Sequence, residues 1–383
     1  MADAKKKKLR IVLAGGGTAG HFYPLLAVAV EFQILAGEKN IELELYYIGE
    51  INGRYRELFT ENGILIRNIL AGKLRRYLSL SNLVDLPKFI IGLIQSWWHL
   101  FWLMPDAVFS KGGPGALSVI FPAVFYRIPV FIHESDTAPG LTNRLSAGFS
   151  KIIFLAFAEA GNYLPKNREK IVVGNPLRRY LVTDIPQKEP TKKFLGFESD
   201  LPLLLVLGGS QGATRLNDIV LENLKILLQD FQIFHQTGET NYEKFEEQAK
   251  PILREIPAWQ RGRYLFVGFL EDDLKDALAA SDLIISRAGS GAISEIAAFG
   301  KPSILIPLPE AAGDHQRLNA YAYASTGAAA VIEEKDFSPE AFIAQIKKIL
   351  GDDSLMRSMF EKARASSRPE AASQIARKII ELS

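Results

Sequence analysis

Short runs of β-forming residues alternate with longer amphipathic stretches along nearly the whole chain, and this alternation restricts the fold more than any other feature. It is typical of parallel sheets whose strands are joined by crossover helices. The helices that it predicts include residues 24–36, 216–229 and 369–382. The predicted strands are residues 9–14, 41–48, 107–110, 130–133, 151–156, 201–207, 231–236, 264–267, 283–286 and 303–307. The sequence therefore predicts an α/β protein.

The chain of 383 residues is long enough for two domains, because a typical domain has roughly 100–200 residues. The strand pattern starts afresh at residue 201, and the polar, proline-containing segment 184–190 before it suits a linker. The final helix is compatible with either domain. We predict an N-terminal domain at 1–180, a C-terminal domain at 181–365 and a terminal helix at 366–383 that packs back on the N-terminal domain.

Composition narrows the function classes. The net charge of +2 is close to neutral, so a nucleic-acid partner is not indicated. Cysteine is absent, which excludes disulfides, thiolate metal sites and cysteine nucleophiles and suits a reducing cytosol. The lysines at residues 5–8 precede a short strand and glycines, not the apolar core of a secretion signal. We interpret them as a solvated start of the chain; a contact with anionic lipid is the alternative.

Three glycine loops predict a phosphate-rich ligand. Residues 15–20 read Gly-Gly-Gly-Thr-Ala-Gly between a strand and a helix, where backbone amides and the helix dipole can hold a phosphate. The same residues satisfy a dinucleotide fingerprint, but Glu50 comes later than the roughly 20-residue interval of that fingerprint. Further glycine loops follow strands at residues 111–115 and 208–212. Three such loops in two α/β domains favour a ligand held in a cleft between the domains.

Polar residues near the first two loops are candidates for acid–base chemistry. His21 directly follows the first loop, and an imidazole can accept a hydroxyl proton near neutral pH. A purely structural histidine is the alternative. Polar residues also crowd 133–136 and 140–144, after a strand whose carboxyl end is where ligands of open sheets bind. A helix cap formed by Asp136 or Thr137 would explain the same pattern.

The second half carries a candidate nucleoside and sugar site. Residues 286–295 run from a strand through small residues into a helix, and a carboxylate at Glu295 can accept two hydrogen bonds from a ribose diol. A glutamate favoured by the helix dipole is the alternative, although it leaves the small-residue loop unexplained. The loop at 307–316 carries side chains that suit sugar hydroxyls. No D-x-D motif for a metal-bound diphosphate occurs, so we predict neither a metal nor a cofactor.

Six motifs together resemble the MurG family, in that family's order and over nearly the whole chain: residues 16–21, 133–136, 174–178, 208–213, 294–295 and 314–316. The resemblance implies a GT-B fold, with two Rossmann-like parallel-sheet domains facing across a cleft. It implies an inverting transfer of N-acetylglucosamine from UDP-N-acetylglucosamine, bound mainly by the C-terminal domain. The acceptor would be the muramyl 4-hydroxyl of undecaprenyl-pyrophosphoryl-N-acetylmuramyl-pentapeptide, which is the lipid I to lipid II step of peptidoglycan synthesis.

The resemblance also assigns residues to the substrates. His21 matches the family histidine that assists deprotonation or binds the acceptor pyrophosphate. Arg178 and Ser210 would bind the UDP phosphates, Leu270 would contact uracil through its backbone, and Gln316 would hold sugar hydroxyls. The other substrate-binding residues that we predict are Thr18, Ala19 and Gly20 on the donor-sugar side of the first loop, Asp136 and Asn143 after the 130–133 strand, and Ser290, Gly291, Ala292, Ile293, Ser294 and Glu295 around the nucleoside.

The sequence departs from the family pattern in three places. Ala19 stands where many members have glycine, so the backbone there must tolerate a β-carbon. Asp136 stands where some have asparagine, and an ionised, acceptor-only carboxylate cannot donate to a sugar carbonyl. The second loop continues into Ala-Leu-Ser at 116–118 in place of the more usual aromatic or branched residues, so its members carry no individual assignment.

A tryptophan-rich stretch at residues 89–104 is the candidate membrane contact. It contains Gln95, Ser96 and His99, and it is shorter than the about 20 apolar residues of a membrane span. Beside the basic residues 73–77, it favours a helix that lies in the lipid interface. A crossover helix wholly buried against the sheet is the alternative. The expected location is the cytoplasm, with peripheral attachment to the cytoplasmic face of the cell membrane.

Rival functions remain open from the sequence. A nucleotide-sugar epimerase or another lipid-glycosylating transferase could share the two-domain fold, and a dehydrogenase would use the first loop for a nicotinamide cofactor. A non-catalytic nucleotide-binding module that recruits partners to the membrane is a rival of another class, and it would not need His21.

Overall fold

The computed structural model describes residues 7–72, 82–209 and 213–383. The chain forms two compact units: unit 1 is Met1–Arg179 together with Arg368–Ser383, and unit 2 is Tyr180–Ser367.

Unit 1 is a parallel sheet covered by helices. Its strands are β1 Lys8–Ala14, β2 Glu42–Gly49, β3 Leu65–Asn68, β4 Ala107–Ser110, β5 Val130–Glu134, β6 Ile152–Leu155 and β7 Glu169–Val172. Its first helices are α1 Ala19–Glu38, α2 Gly53–Glu61, α3 Asn82–Leu103, α4 Ala116–Phe125 and α5 Leu141–Ser146. The strand order is β3-β2-β1-β4-β5-β6-β7, with every pair parallel. The chain therefore reverses its direction of winding between β1 and β4.

The central strand β1 shows why this unit needs helices on both sides of the sheet. Ile11 and Leu13 pack with α1 and α2, whereas Val12 and Ala14 point to the other face and pack with α3 and α4. All four side chains are fully buried. A strand buried on both faces reads as a continuous apolar run, and that is the pattern from which it was predicted.

Unit 2 repeats this architecture. Its helices are α6 Arg179–Val182, which begins at the last residue of unit 1, α7 Lys188–Phe194, α8 Thr214–Asp230, α9 Tyr242–Glu255, α10 Ala258–Arg261, α11 Leu274–Ala280, α12 Ser290–Phe299, α13 His315–Ala324, α14 Pro339–Leu350 and α15 Asp353–Ser366. Its strands are β8 Leu203–Leu207, β9 Gln232–Gln236, β10 Tyr264–Val267, β11 Leu283–Ser286, β12 Ser303–Leu305 and β13 Ala329–Val331. The order β10-β9-β8-β11-β12-β13 is parallel throughout, and the winding reverses between β8 and β11.

The last helix, α16 Ala371–Leu382, returns to unit 1. It packs along α1 and buries Ile375 and Ile379 completely in the core that α1 shares with the sheet. Arg368, just before it, lies against Gly174, since a β-carbon at that glycine would come within 2.3 Å of the Arg368 β-carbon. The C-terminal segment is therefore an integral part of unit 1.

All ten predicted strands are present, and α1 begins earlier than predicted. It starts at Ala19, five residues before Pro24, so His21 lies in its first turn. Proline inside a helix lacks an N–H for the carbonyl four residues earlier, here that of Gly20. Strands β3, β7 and β13 were not predicted, and each is an edge strand of its sheet with partly exposed residues.

Within the described residues, α1 is the one helix that is long and apolar enough to cross a membrane, with a mean hydropathy of 1.3. Most of its surface is buried between the sheet and α16, as is usual for a core helix. Helix α3 is 22 residues long, longer than the predicted stretch, and it does not meet the same criterion.

We expect Ile375→Ala to lower the free energy of unfolding of unit 1 by about 2–5 kcal/mol, because it removes a fully buried side chain and leaves a cavity. Urea unfolding followed by tryptophan fluorescence reports on this unit, since Trp97, Trp98 and Trp102 lie in it and only Trp259 lies in unit 2. The neighbouring exposed Gln374→Ala is the matched control. A parent-like midpoint for Ile375→Ala would show that α16 is not part of this core.

Candidate active site

In unit 1, two glycine loops leave neighbouring strands at the reversal of winding. Ala14 at the end of β1 pairs with Ser110 at the end of β4, so residues 15–18 and 111–115 start side by side. This carboxyl edge is where open α/β sheets bind ligands.

The two loops touch through their backbones. Gly15 has φ +137°, and a β-carbon there would lie 2.8 Å from the Gly112 carbonyl oxygen. A β-carbon on Gly113 would lie 2.4 Å from the Gly16 carbonyl oxygen and 3.0 Å from His21 Nε2. From below, the buried Tyr47 hydroxyl donates to the Gly15 carbonyl at 2.5 Å. Only glycine lets the two backbones lie this close together, so the contact between the loops explains the glycines at Gly15 and Gly113.

His21 is held between the two loops. Its Nδ1 lies 3.1 Å from the Thr18 hydroxyl, while Nε2 faces Gly113. Burial and, to a smaller extent, the Lys111 ammonium lower the pKa of His21 to about 4, against a still smaller opposite effect of Asp136. The imidazole is therefore neutral at pH 7 and able to accept a proton. Ala19 is half-buried beside it, and Gly20 is exposed.

Glu134 organises the loop after β5. Its carboxylate accepts the Asp136 N–H at 2.9 Å, the Gly140 N–H at 3.1 Å and the Asn143 side-chain amide at 2.9 Å. Asn143 also donates to the His133 carbonyl, so both of its amide hydrogens are used and its side chain is buried. Asp136 is half-buried on the same loop. Asn143 thus supports the loop from beneath, whereas Asp136 is a partly exposed acidic residue of the same loop.

Lys111 and His133 are buried below this edge. Burial lowers the pKa of Lys111 to about 8, although Glu134 and Asp136 raise it. His133 donates from Nε2 to the Gly174 carbonyl at 2.8 Å, and burial holds its pKa well below the usual range. Because its pKa stays above 7, most of Lys111 is charged at neutral pH, and this charge helps to lower the pKa of His21.

Arg178 also belongs to unit 1. Its guanidinium carbon lies 4.2 Å from the centroid of the Tyr23 ring, on the first turns of α1. The predicted phosphate contact of Arg178 therefore comes from the unit that also holds His21, and not from the unit that holds the other predicted UDP contacts.

In unit 2, the strands β8 and β11 meet at the second reversal of winding, where Leu207 pairs with Ser286. The predicted phosphate residue Ser210 lies outside the described residues. Gln236, at the end of β9, donates to the Gly209 carbonyl at 3.2 Å and accepts the Leu270 N–H at 3.2 Å. The Leu270 N–H is thus engaged within the protein.

Helix α12 begins at this edge with a run of small residues. Gly289 precedes it, and Ser290, Gly291, Ala292 and Ser294 are half-buried, whereas Ile293 is buried in the core. Glu295 is half-buried two residues after Ile293. The free backbone N–H groups of the first turn give this end of the helix a partial positive charge.

The loop between β12 and α13 lies beside α12. Gln316, in the first turn of α13, accepts the Leu308 N–H at 3.1 Å through Oε1. Arg287, which follows β11, donates to the Ile306 and Pro307 carbonyls. Tyr47, Gln236 and Arg287 were not among the predicted site residues, although a polar residue at the end of a buried strand marks Gln236 and Arg287 in the sequence.

Each unit therefore gathers its own predicted residues at the carboxyl edge of its sheet. Unit 1 brings together Thr18, Ala19, Gly20, His21 and Asp136, with Arg178 on the same unit. Unit 2 brings together the start of α12, Leu270 and Gln316. Within the described residues, no group of three or more histidine and carboxylate side chains could hold a metal ion.

Comparison with known proteins also divides the chain into an N-terminal and a C-terminal part. Residues 11–155 match the glycosyltransferase family 28 N-terminal domain, and residues 203–377 match the glycosyltransferase family 28 C-terminal domain. One relative is the UDP-N-acetylglucosamine–N-acetylmuramyl-(pentapeptide) pyrophosphoryl-undecaprenol N-acetylglucosamine transferase of Thermoanaerobacter sp.. The two chains are 37% identical over 368 residues, and this aligned region covers 96% of this chain and 98% of that relative.

Solved structures share the fold over nearly the full length. The crystal structure of Acinetobacter baumannii MurG superposes with a TM-score of 0.74 and 26% identity, covering 97% of this chain and 99% of that one. A UDP-N-acetylglucosamine 2-epimerase from Neisseria meningitidis has a TM-score of 0.68 over 98% of this chain and all of the other, at 15% identity, a likeness of fold alone. The two matched domains and the near full-length relative show that this chain belongs to the MurG family within glycosyltransferase family 28.

Proposed function

We propose that this protein transfers N-acetylglucosamine from UDP-N-acetylglucosamine to the muramyl 4-hydroxyl of undecaprenyl-pyrophosphoryl-N-acetylmuramyl-pentapeptide, with inversion at the anomeric carbon. The observation that carries the proposal is 37% identity to a transferase of that name over 96% of the chain. The site geometry supports it, because both sheets present small-residue loops and hydrogen-bonding side chains at their carboxyl edges.

Unit 2 is the proposed donor site. The ribose diol binds the Glu295 carboxylate, uracil contacts the backbone at Leu270, the residues from Ser290 onward surround the nucleoside, and Gln316 holds sugar hydroxyls. The Gln316 side chain is suited to this because its Oε1 is anchored by Leu308, which sets the direction of its amide group. The resemblance also assigns to the UDP phosphates Ser210, which lies outside the described residues, and Arg178 of unit 1, whose positive charge would offset the negative charge that develops on the leaving diphosphate.

Unit 1 is the proposed acceptor site, with His21 as general base. When Nδ1–H donates to the Thr18 hydroxyl, Nε2 carries the lone pair that accepts the proton of the 4-hydroxyl. The hydroxyl oxygen then attacks the anomeric carbon as the bond to UDP breaks. Thr18, Ala19 and Gly20 line the donor-sugar side of the same loop, while Asp136 accepts hydrogen bonds from the acceptor.

We expect His21→Ala to lower the transfer rate by about 10²–10⁴-fold, the usual contribution of a general base, while UDP affinity stays the same. The assay follows labelled N-acetylglucosamine from its UDP donor into the organic phase with a lipid-linked muramyl acceptor. Because the pKa of His21 is about 4, kcat/KM of the parent should hold from neutral pH down to near pH 5 and fall below it.

The rivals give other results in the same assay. An epimerase would invert C2 of the donor without any lipid. A non-catalytic binding module would leave His21→Ala equal to the parent, and a histidine that acts as a cationic pyrophosphate ligand would make kcat/KM rise as the pH falls toward 4.

For Glu295→Gln we expect about tenfold weaker UDP binding, because a charge-assisted hydrogen bond becomes a neutral one. The parent should also prefer UDP over 2′-deoxy-UDP, and the variant should lose that preference, as measured by titration calorimetry. Glu340→Gln, in the first turn of α14, is the matched control and should bind as the parent does. An unchanged preference in Glu295→Gln would place the ribose elsewhere.

Membrane attachment is the second part of the proposal. Helix α3 turns Gly92, Ser96 and Leu100 inward, but its other side is exposed, so the alternative of a wholly buried helix is wrong. The other side of α3 and the end of α4 together carry five large apolar side chains that are 52–66% exposed. We call this group the aromatic face: Ile94, Trp98, Phe101, Trp102 and Phe125.

An exposed apolar group of this kind suits the interface of a bilayer, where tryptophan is favoured. Lys88 on α3 and Arg127 after α4 are exposed cations of the same two elements. The basic residues 73–77 that the sequence pairs with this helix lie outside the described residues. Attachment at the cytoplasmic face would bring the enzyme to an acceptor whose polyprenyl tail stays in the bilayer.

Replacing Trp98 and Trp102 together by serine should weaken binding to vesicles of anionic phospholipid more than tenfold, since both side chains would otherwise enter the interface. Co-sedimentation with the vesicles measures the bound fraction. Trp259→Ser is the matched control, because Trp259 is 62% exposed but lies in unit 2. Equal losses in both variants would argue against the aromatic face as the lipid contact.

A further inference from the structure

Arg287 is a buried guanidinium at the carboxyl end of β11, with 7% of its surface exposed. Its Nη1 donates to the Ile306 carbonyl at 3.1 Å and lies 3.5 Å from the Pro307 carbonyl. Its Nη2 forms an ion pair with Glu334 at 2.5 Å. From the segment that follows β11, this one side chain thus contacts the two segments that follow β12 and β13, the next strands of the sheet.

These segments lead into the two halves of the proposed donor site. Residues 288–289 continue from Arg287 into α12, which carries the nucleoside contacts. Pro307 lies in the loop that leads to α13, and the first turn of that helix carries Gln316, the sugar contact. Other bonds stiffen the same region: Asn319 donates to the Ala288 carbonyl at 3.4 Å, and Gln316 accepts from Leu308.

We propose that Arg287 is a positioning residue that sets the sugar-binding loop relative to the nucleoside-binding helix start, with Glu334 as its counter-charge. The inference rests on the proposed function. It adds that the selectivity for a UDP-sugar over UDP alone depends on a residue that touches neither.

The chemistry of arginine explains why this position needs it. A planar guanidinium presents donors in fixed directions, so it can hold two carbonyls and a carboxylate at once. A lysine ammonium is a compact point charge on a flexible stem and cannot keep all three partners in one geometry. Because the guanidinium is buried, Glu334 is needed to offset its charge.

The test compares Arg287→Lys with the parent. We expect KM for UDP-N-acetylglucosamine to rise about tenfold, while the Kd for UDP, which reaches only the nucleoside side, changes less than about twofold. Glu334→Gln, which keeps a hydrogen-bond acceptor but loses the charge, should shift the same KM in the same direction by a smaller factor. Calorimetry with UDP and steady-state rates with the UDP-sugar give the two values.

Arg263→Lys is the matched control. Arg263 also donates to two carbonyls, those of Leu228 and Gln229, and pairs with Glu198, but it precedes β10 at the opposite, amino edge of the sheet. It should lower the melting temperature without changing KM for the UDP-sugar. A merely structural Arg287 would behave in the same way, with a lower melting temperature and an unchanged KM, and that result would overturn the inference.

Other results of the same experiment also decide between the proposals. Equal weakening of UDP and UDP-sugar binding in Arg287→Lys would overturn the inference, since the loops would then not be set relative to each other by this residue. If Arg287→Lys does not fold, Glu334→Gln alone decides by the same ratio. A parent that transfers no sugar contradicts the proposed function itself, whereas an active parent with an unaffected variant contradicts only the role of Arg287.

Discussion

The contact between the two glycine loops of unit 1 is the constraint on which its candidate site depends. Gly15 and Gly113 carry no β-carbon, so the backbone after β1 can lie directly against the backbone after β4. His21 then fits between the loops, desolvated and held by Thr18, and its low pKa follows from that enclosure. A side chain at either glycine would separate the loops and admit water. The neutral imidazole is thus a consequence of backbone packing as much as of its neighbouring charges.

The strands that could be predicted from the sequence share one physical property. β1, β8 and β11 are covered by helices on both faces, so their residues form continuous apolar runs that stand out in the chain. The edge strand β3 reads Leu-Ile-Arg-Asn and is largely exposed, which gives no such run. The early start of α1 was also hidden, because Pro24 normally marks a helix beginning and here lies within the helix. Edge pairing and tolerated prolines depend on tertiary contacts that a local pattern does not contain.

The candidate site could likewise be predicted only in part. Its loops were predictable, since glycines and small residues between a strand and a helix have a direct backbone meaning at Gly15 and at the start of α12. The partners of the supporting side chains were not, because Tyr47 bonds to Gly15, 32 residues away, and Gln236 joins segments that are 27 and 34 residues distant. Asn143 illustrates the difference: its polar type suggested a ligand contact, and the structure uses both of its amide hydrogens internally.

The return of α16 to unit 1 has a consequence for biosynthesis. Because unit 2 is inserted between Arg179 and Arg368, the ribosome makes the whole sheet of unit 1 early and its final helix last. Until α16 emerges, the surface of α1 that receives Ile375 and Ile379 has no cover from this helix. The nascent chain therefore carries an exposed apolar strip throughout the translation of unit 2, a natural binding place for a chaperone, and the emergence of α16 is what completes the first unit.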